Sequence, residues 1–110
     1  MRQRTEFADT VRRGARAAGP ALTVHLRPAA PGSGRRVGFV VAKTVGPAVV
    51  RNGVRRRLRH LVRDRLGALV NDVAVVVRAH PAAAGLPSAA LGQELDAALR
   101  RAHERAKATQ

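Results

Sequence analysis

Apolar and polar positions alternate along the chain with two different periods, and the switches between them mark the elements. From Thr5 to Ala18, Phe7, Val11 and Ala15 recur at helical spacing with arginines beside them, which predicts an opening helix closed by Gly19-Pro20. Leu22, Val24 and Leu26 then alternate with Thr23, His25 and Arg27, the pattern of a half-buried strand. Pro28 to Gly34 is rich in turn residues and predicts an exposed, mobile connection. A second strand follows over about Arg36 to Lys43, with Val37, Phe39 and Val41 on one face, and Gly46-Pro47 ends it. From Ala48 to about Leu66 the period returns to 3.6: Val50, Val54, Leu58, Leu61, Val62 and Leu66 form one apolar stripe. Asp72 to Arg78 contains an unbroken apolar run, as in a strand buried on both faces. After a second turn region, Ser88 is placed to cap a last helix whose Leu91, Leu95, Ala98, Leu99 and Ala102 face inward.

The predicted order is helix, strand, strand, helix, strand, helix, without internal repeats. The second and third strands flank a helix and so predict a parallel pair. The first two strands are free to pair antiparallel. The class is α+β, helices packed on a small mixed sheet. With 110 residues the whole chain, 1–110, reads as one domain. The 45% apolar content supplies a core, an aliphatic one, because Phe7 and Phe39 are the only aromatics.

Charge changes the picture. There are 21 basic residues against 7 acidic ones, for a net +14; two of the 21 are Lys43 and Lys107, which leaves nineteen arginines. A folded domain so unbalanced repels itself unless a polyanion neutralises it, and nucleic acid gains salt-dependent affinity by releasing counterions to such a surface. Seven of the arginines fall between Arg51 and Arg65, with Asp64 the one acid among them. Arg51, Arg55, Arg59 and Arg63 are four residues apart and wind along one side, with Asn52 and Arg56 beside them. Like charges at that spacing destabilise a helix by roughly 0.2–0.5 kcal/mol per pair. Accepting this repeatedly suits a face built for an anion, and the planar arginine fork can grip a phosphate twice.

Other chemistry is thinly represented. Glu6, Asp9, Asp64, Asp72, Glu94, Asp96 and Glu104 are scattered and suggest no two-metal site, and His25, His60, His80 and His103 lack paired metal spacing. Asp72 reads as a turn or cap residue, and Gly32-Ser33-Gly34 is too short for a phosphate loop. Cysteine is absent. The first residues carry no apolar run of signal-peptide type, and no stretch approaches the ~18 apolar residues of a membrane span. The expectation is a cytoplasmic RNA-binding protein with neither a membrane nor a small-molecule substrate as partner. A duplex-DNA reader would offer more varied side chains to base edges. A membrane-surface helix would need the apolar stripe that the core requires.

At these residues the chain resembles the ribonuclease P protein family. Its hallmark helix has the form Arg-Asn-x-x-Lys/Arg-Arg-x-x-Arg, which residues 51–59 match, from Arg51-Asn52 to Arg55-Arg56 and Arg59. Arg36 to Gly46 resembles the strand that enters the helix, Asp72 to Arg78 the central strand, and Glu6-Phe7 with Arg13-Gly14 the start. The resemblance implies a left-handed crossover through the basic helix. It also implies a subunit of an endoribonuclease in which an RNA is catalytic, binds Mg²⁺ and removes the 5′ leader of precursor tRNA, the protein alone being inactive and binding no cofactor. Its partners would be ribonuclease P RNA and precursor tRNA. Carried over, Arg51, Asn52, Arg55, Arg56 and Arg59, with Arg63 and Lys43 next to them, would contact RNA. Phe7, Val11, His25 and Phe39 would line a leader cleft between helix and sheet. The sequence departs from the family's habit in four places: Gly53 replaces a basic residue, Val11 and His25 replace aromatics, and Thr44 follows Lys43 where a second Lys is common. The alternative reading is a structural RNA-binding protein of ribosomal type.

Overall fold

In a computed structural model, which describes residues 3–108, the chain folds as α1 (Gln3–Arg13), β1 (Ala15–Ala18), β2 (Leu22–Pro28), β3 (Arg35–Val41), α2 (Ala48–Asp64), β4 (Val73–Ala79) and α3 (Ser88–Ala108). Short 3₁₀ turns at Lys43–Val45, Leu66–Ala68 and Pro81–Gly85 join them. The terminal residues 1, 2, 109 and 110 of the expected single domain lie outside the described residues. The α+β class with a small mixed sheet is as the sequence predicts, with one more strand.

That strand corrects the first helix, which stops at Arg13 rather than running to Ala18. Gly14 is the reason. Its N–H closes the helix on the Thr10 carbonyl at 2.9 Å, and a Cβ there would overlap that carbonyl and stand 2.9 Å from the Leu26 carbonyl. The chain therefore meets β2 at Gly14, and Ala15 to Ala18 pair antiparallel with Leu26 to Thr23. Alanine's helix propensity yields to this pairing.

The sheet order is β1-β2-β4-β3. β3 and β4 are parallel, as expected of strands joined through α2. The expected antiparallel pairing of β2 with β3 does not occur: β4 lies between them and pairs antiparallel with β2. The apolar run of β4 suits this central position, since Val73 to Val77 are buried on both faces.

One sheet face, carrying Leu22, Val24, Leu26, Val73, Val75 and Val77, packs with Val54, Leu58 and Val62 of α2 and with Leu91, Leu95, Ala98, Leu99 and Ala102 of α3. Val50, expected in the apolar stripe, is instead exposed at the start of α2, and the helix ends at Asp64, short of Leu66. The other sheet face meets α1, so β2 is buried on both sides rather than one. Acids fasten these layers. Glu94 accepts the backbone N–H groups of Ala21 (2.7 Å) and Leu22 (2.9 Å), and Asp72 accepts that of Gly34 (2.8 Å), the turn role expected of it.

Candidate nucleic-acid interface

The buried residues of α2 are Val54, Leu58 and Val62, so its core line is spaced by fours. At about 100° per residue, Arg55, Arg59 and Arg63 each follow a residue of that line and run alongside it about a quarter-turn round the helix, with Asn52 and Arg56 further round. Arg56, Arg59, Arg63 and Asn52 are exposed, and Arg55 is half-buried. Arg55, Arg56, Arg59 and Arg63 make no hydrogen bond or ion pair with any described residue. Arg51 turns back, its Nε donating to the Gly46 carbonyl at 3.1 Å, which fixes the turn that starts the helix. Lys43 stands exposed in the 3₁₀ turn before it.

The other two arginines of the run belong to the fold. Arg57 lies on the flank towards the 3₁₀ turn at Pro81–Gly85 and donates to the carbonyls of Leu86 (2.6 Å) and Ala83 (3.4 Å). Arg65 pairs with Asp96 at 2.5 Å and donates to the Leu61 carbonyl. Sequence spacing could not separate these two from the rest, because the separation depends on what packs against each flank.

The opposite face of the sheet carries a cleft. Phe7 of α1 leans over Gly38 of β3, where a Cβ would overlap its ring. Beside this contact opens a cavity of about 450 Å³, lined by Phe7, Thr10, Gly38, Ala74 and Val76, with Glu6 and Arg36 also on its wall. Glu6 and Arg36 pair at 3.2 Å. Gly38, Thr10 and Arg36 are lining residues that motif reasoning did not select. A glycine inside a strand was the available sign, since it marks a close approach by another group.

The residues assigned to the leader cleft divide. Phe7 lines it; Val11, one turn on, is half-buried. Phe39 alternates with Gly38 along β3 and packs against the core on the α2 face, away from Phe7. His25 shares the α1 face, in register with Val76 and, through it, Gly38. It is 2% exposed rather than half-exposed, because α1 covers β2. Neither ring nitrogen has a hydrogen-bond partner among the described residues. Desolvation first, then the charges of Arg78 and Arg16, lowers its pKa from the usual imidazole value.

The remaining acids are occupied or distant. Asp9 pairs with Arg27 at 3.6 Å. No group of three His, Cys, Asp or Glu able to hold a metal ion occurs among the described residues, and none of their helices is long and apolar enough to cross a membrane. The arrangement offers a row of unpaired guanidiniums on one helix and a narrow, partly apolar slot on the far face of the sheet.

Comparison with known proteins follows the same line. A family model described as Ribonuclease P matches residues 1–103. A ribonuclease P protein component of Streptomyces avermitilis is 55% identical over 109 residues, covering 92% of this chain and 89% of the relative. Another from a Mycobacterium species (strain KMS) is 51% identical, covering 99% and 93%. Among solved structures, the RNase P protein of Thermotoga maritima superposes with a TM-score of 0.79 at 22% identity, covering 92% of this chain and 94% of that one. That of Staphylococcus aureus gives 0.78 at 20%, covering 91% of each. These two likenesses concern the fold.

Proposed function

The chain belongs to the Ribonuclease P family, and from that premise we propose that it binds the catalytic RNA through α2 and guides the precursor-tRNA leader through the Phe7 cleft. Its role is that of a protein subunit in tRNA 5′ maturation. The observation that carries the proposal is the set of Arg55, Arg56, Arg59 and Arg63, four guanidiniums on one helix with no partner among the described residues. Each can form paired hydrogen bonds to a phosphate and release its counterions. Asn52 adds a donor and an acceptor on the same face.

The division of labour follows from the side chains. In the holoenzyme, Mg²⁺ held by the RNA would supply the charge that activates water for phosphodiester hydrolysis. Of this chain's carboxylates, Glu6, Asp9, Asp72, Glu94 and Asp96 are engaged with arginines or backbone N–H groups. Its contribution is to neutralise backbone charge and to hold a single strand in place, with the Phe7 ring available to a base. The setting is the cytoplasm, where tRNA precursors are made in bacteria.

The test adds purified protein to ribonuclease P RNA at low Mg²⁺ and follows leader removal from precursor tRNA. We expect stimulation over RNA alone, lost when Arg55, Arg56, Arg59 and Arg63 are all replaced by Gln. RNA binding without any stimulation would replace this reading with that of a structural RNA-binding protein.

A further inference from the structure

The arginines of α2 are not the only cations without acidic partners. At the opposite edge of the sheet, α1 runs into β1, and Arg12, Arg13 and Arg16 lie exposed within five residues of one another. None of these three side chains makes a hydrogen bond or ion pair with any described residue. Two further guanidiniums reach round from α3: Arg101 donates to the Ala18 carbonyl at 3.1 Å, and Arg105 to the Arg16 carbonyl. These bonds use the carbonyls of β1 that β2 leaves open, so they seal the strand's edge while the charges remain.

The nearby acids do not offset this cluster. Glu94 is bound to the N–H groups of Ala21 and Leu22, and Asp9 to Arg27. Glu104 lies on the flank of α3 that faces Arg65 and Lys107. Five guanidiniums therefore share one edge without a free carboxylate among them in the described residues.

Their position relates them to the cleft. Arg16 is paired with His25, which is in register with Val76 and Gly38, so its side chain is on the α1 face of the sheet. The Phe7 cleft opens on that same face, over β3 and β4. α2 packs along β3, at the far edge. A strand that leaves an RNA held on α2 meets the cleft first, and its continuation away from α2 leads past α1 to the β1 edge.

We propose that this edge is a second phosphate-binding surface, taking the backbone of the precursor's 5′ leader beyond the nucleotides held at Phe7. The proposal rests on the reading of α2 and the cleft given above. Recognition is by charge, each guanidinium gripping the sugar-phosphate backbone through paired hydrogen bonds. Each phosphate neutralised on a single strand adds about 0.7 to the slope of log affinity against log salt.

The experiment compares holoenzyme containing wild-type protein with holoenzyme containing the R12Q/R13Q/R16Q variant. Its substrates are precursor tRNAs with a long leader and with one cut back to the few nucleotides the cleft can hold. Binding is measured across a salt series, and thermal melting confirms that the variant is folded. We expect the variant to bind the long-leader precursor more weakly, with a salt slope shallower by about 2 (three charges at ~0.7 each). Binding to the short-leader precursor and to the RNA subunit is expected to be unchanged. Equal affinity of wild type and variant for the long leader would overturn the proposal. So would an equal loss with both leaders, or weaker assembly with the RNA subunit, since these assign the surface to the tRNA body or to the catalytic RNA. Failure of the wild-type protein to assemble with the RNA defeats the earlier reading, and this one with it; intact assembly with a leader-independent result defeats only this one.

Discussion

α2 and α3 are both amphipathic and both packed on the same face of the sheet, yet they divide their arginines differently between the fold and solvent. On α3, Arg101 and Arg105 are tied to the carbonyls of β1, and Arg100 alone of its arginines has no partner among the described residues. On α2 and at its C-terminal end, Arg57 and Arg65 are tied to neighbouring elements, while Arg55, Arg56, Arg59 and Arg63 have no partner among the described residues. Counting arginines would rank the helices without explaining either one. What separates structural from ligand-seeking guanidiniums is whether a backbone carbonyl or carboxylate stands within reach once the layers have packed.

The contrast can be broken most strongly on the free side. Replacing Arg55, Arg56, Arg59 and Arg63 by Gln should make the salt slope of RNA binding shallower by about 3, at ~0.7–0.9 per phosphate contact. Melting of the same variant should hold or rise, because like-charge pairs at i,i+4 are removed. A variant that loses RNA affinity only by unfolding would erase the distinction. On the structural side, Glu94→Ala leaves the N–H groups of Ala21 and Leu22 without their acceptor and should cost roughly 2–3 kcal/mol. Denaturant titration measures it, with RNA affinity of the folded fraction unchanged. Arg57→Ala should behave likewise at about 1 kcal/mol, through the Leu86 and Ala83 carbonyls it now satisfies. If Arg57→Ala weakens RNA binding as much as the free-arginine variant, the line drawn between them is wrong.

Much of this division lay beyond the reach of the sequence. Periodicity located α2, β3, β4 and α3 because their apolar residues are numerous and strictly spaced, and the Arg51–Arg59 motif pointed to the cationic face. β1 was hidden inside an apparent helix, since Ala15-Arg16-Ala17-Ala18 carries helix-forming residues and only the collision at Gly14 turns the chain away. The pairing of β2 with β4 was equally hidden. Strand patterns encode which face is buried, not which neighbour is chosen, and the presence of β4 between β2 and β3 decides it. His25 differs for a related reason: alternation along β2 suggests one wet face, whereas α1 covers it. Phe39 looked equivalent to Phe7 as a rare aromatic, but the two-residue period of β3 sends it to the opposite face.

The smallest expected effect concerns His25. Its folded-state pKa lies below the ordinary value, so the fold favours the neutral ring. Below the unfolded pKa of about 6.5 the unfolded chain binds more protons than the folded one. The stabilisation is therefore present above that pH and is lost as pH falls through and below it. Melting temperature should decline between pH 7.5 and pH 5.5, and less so in His25→Gln; an equal decline in both would assign the effect to other groups.

The strand order also bears on how the molecule is made. β4 is the one partner of β3 and the second partner of β2, yet it is translated after both and after α2. While residues 73–79 are still within the ribosome, β3 has no ladder to join and α2 has no complete floor on which to seat Val54, Leu58 and Val62. The arginine row thus lacks the floor that fixes its orientation until β4 is part of the chain. Such non-local closure slows folding. It also means that a nascent or truncated chain carries the full charge of α2 without its geometry, so shape-specific docking on RNA belongs to the finished polypeptide.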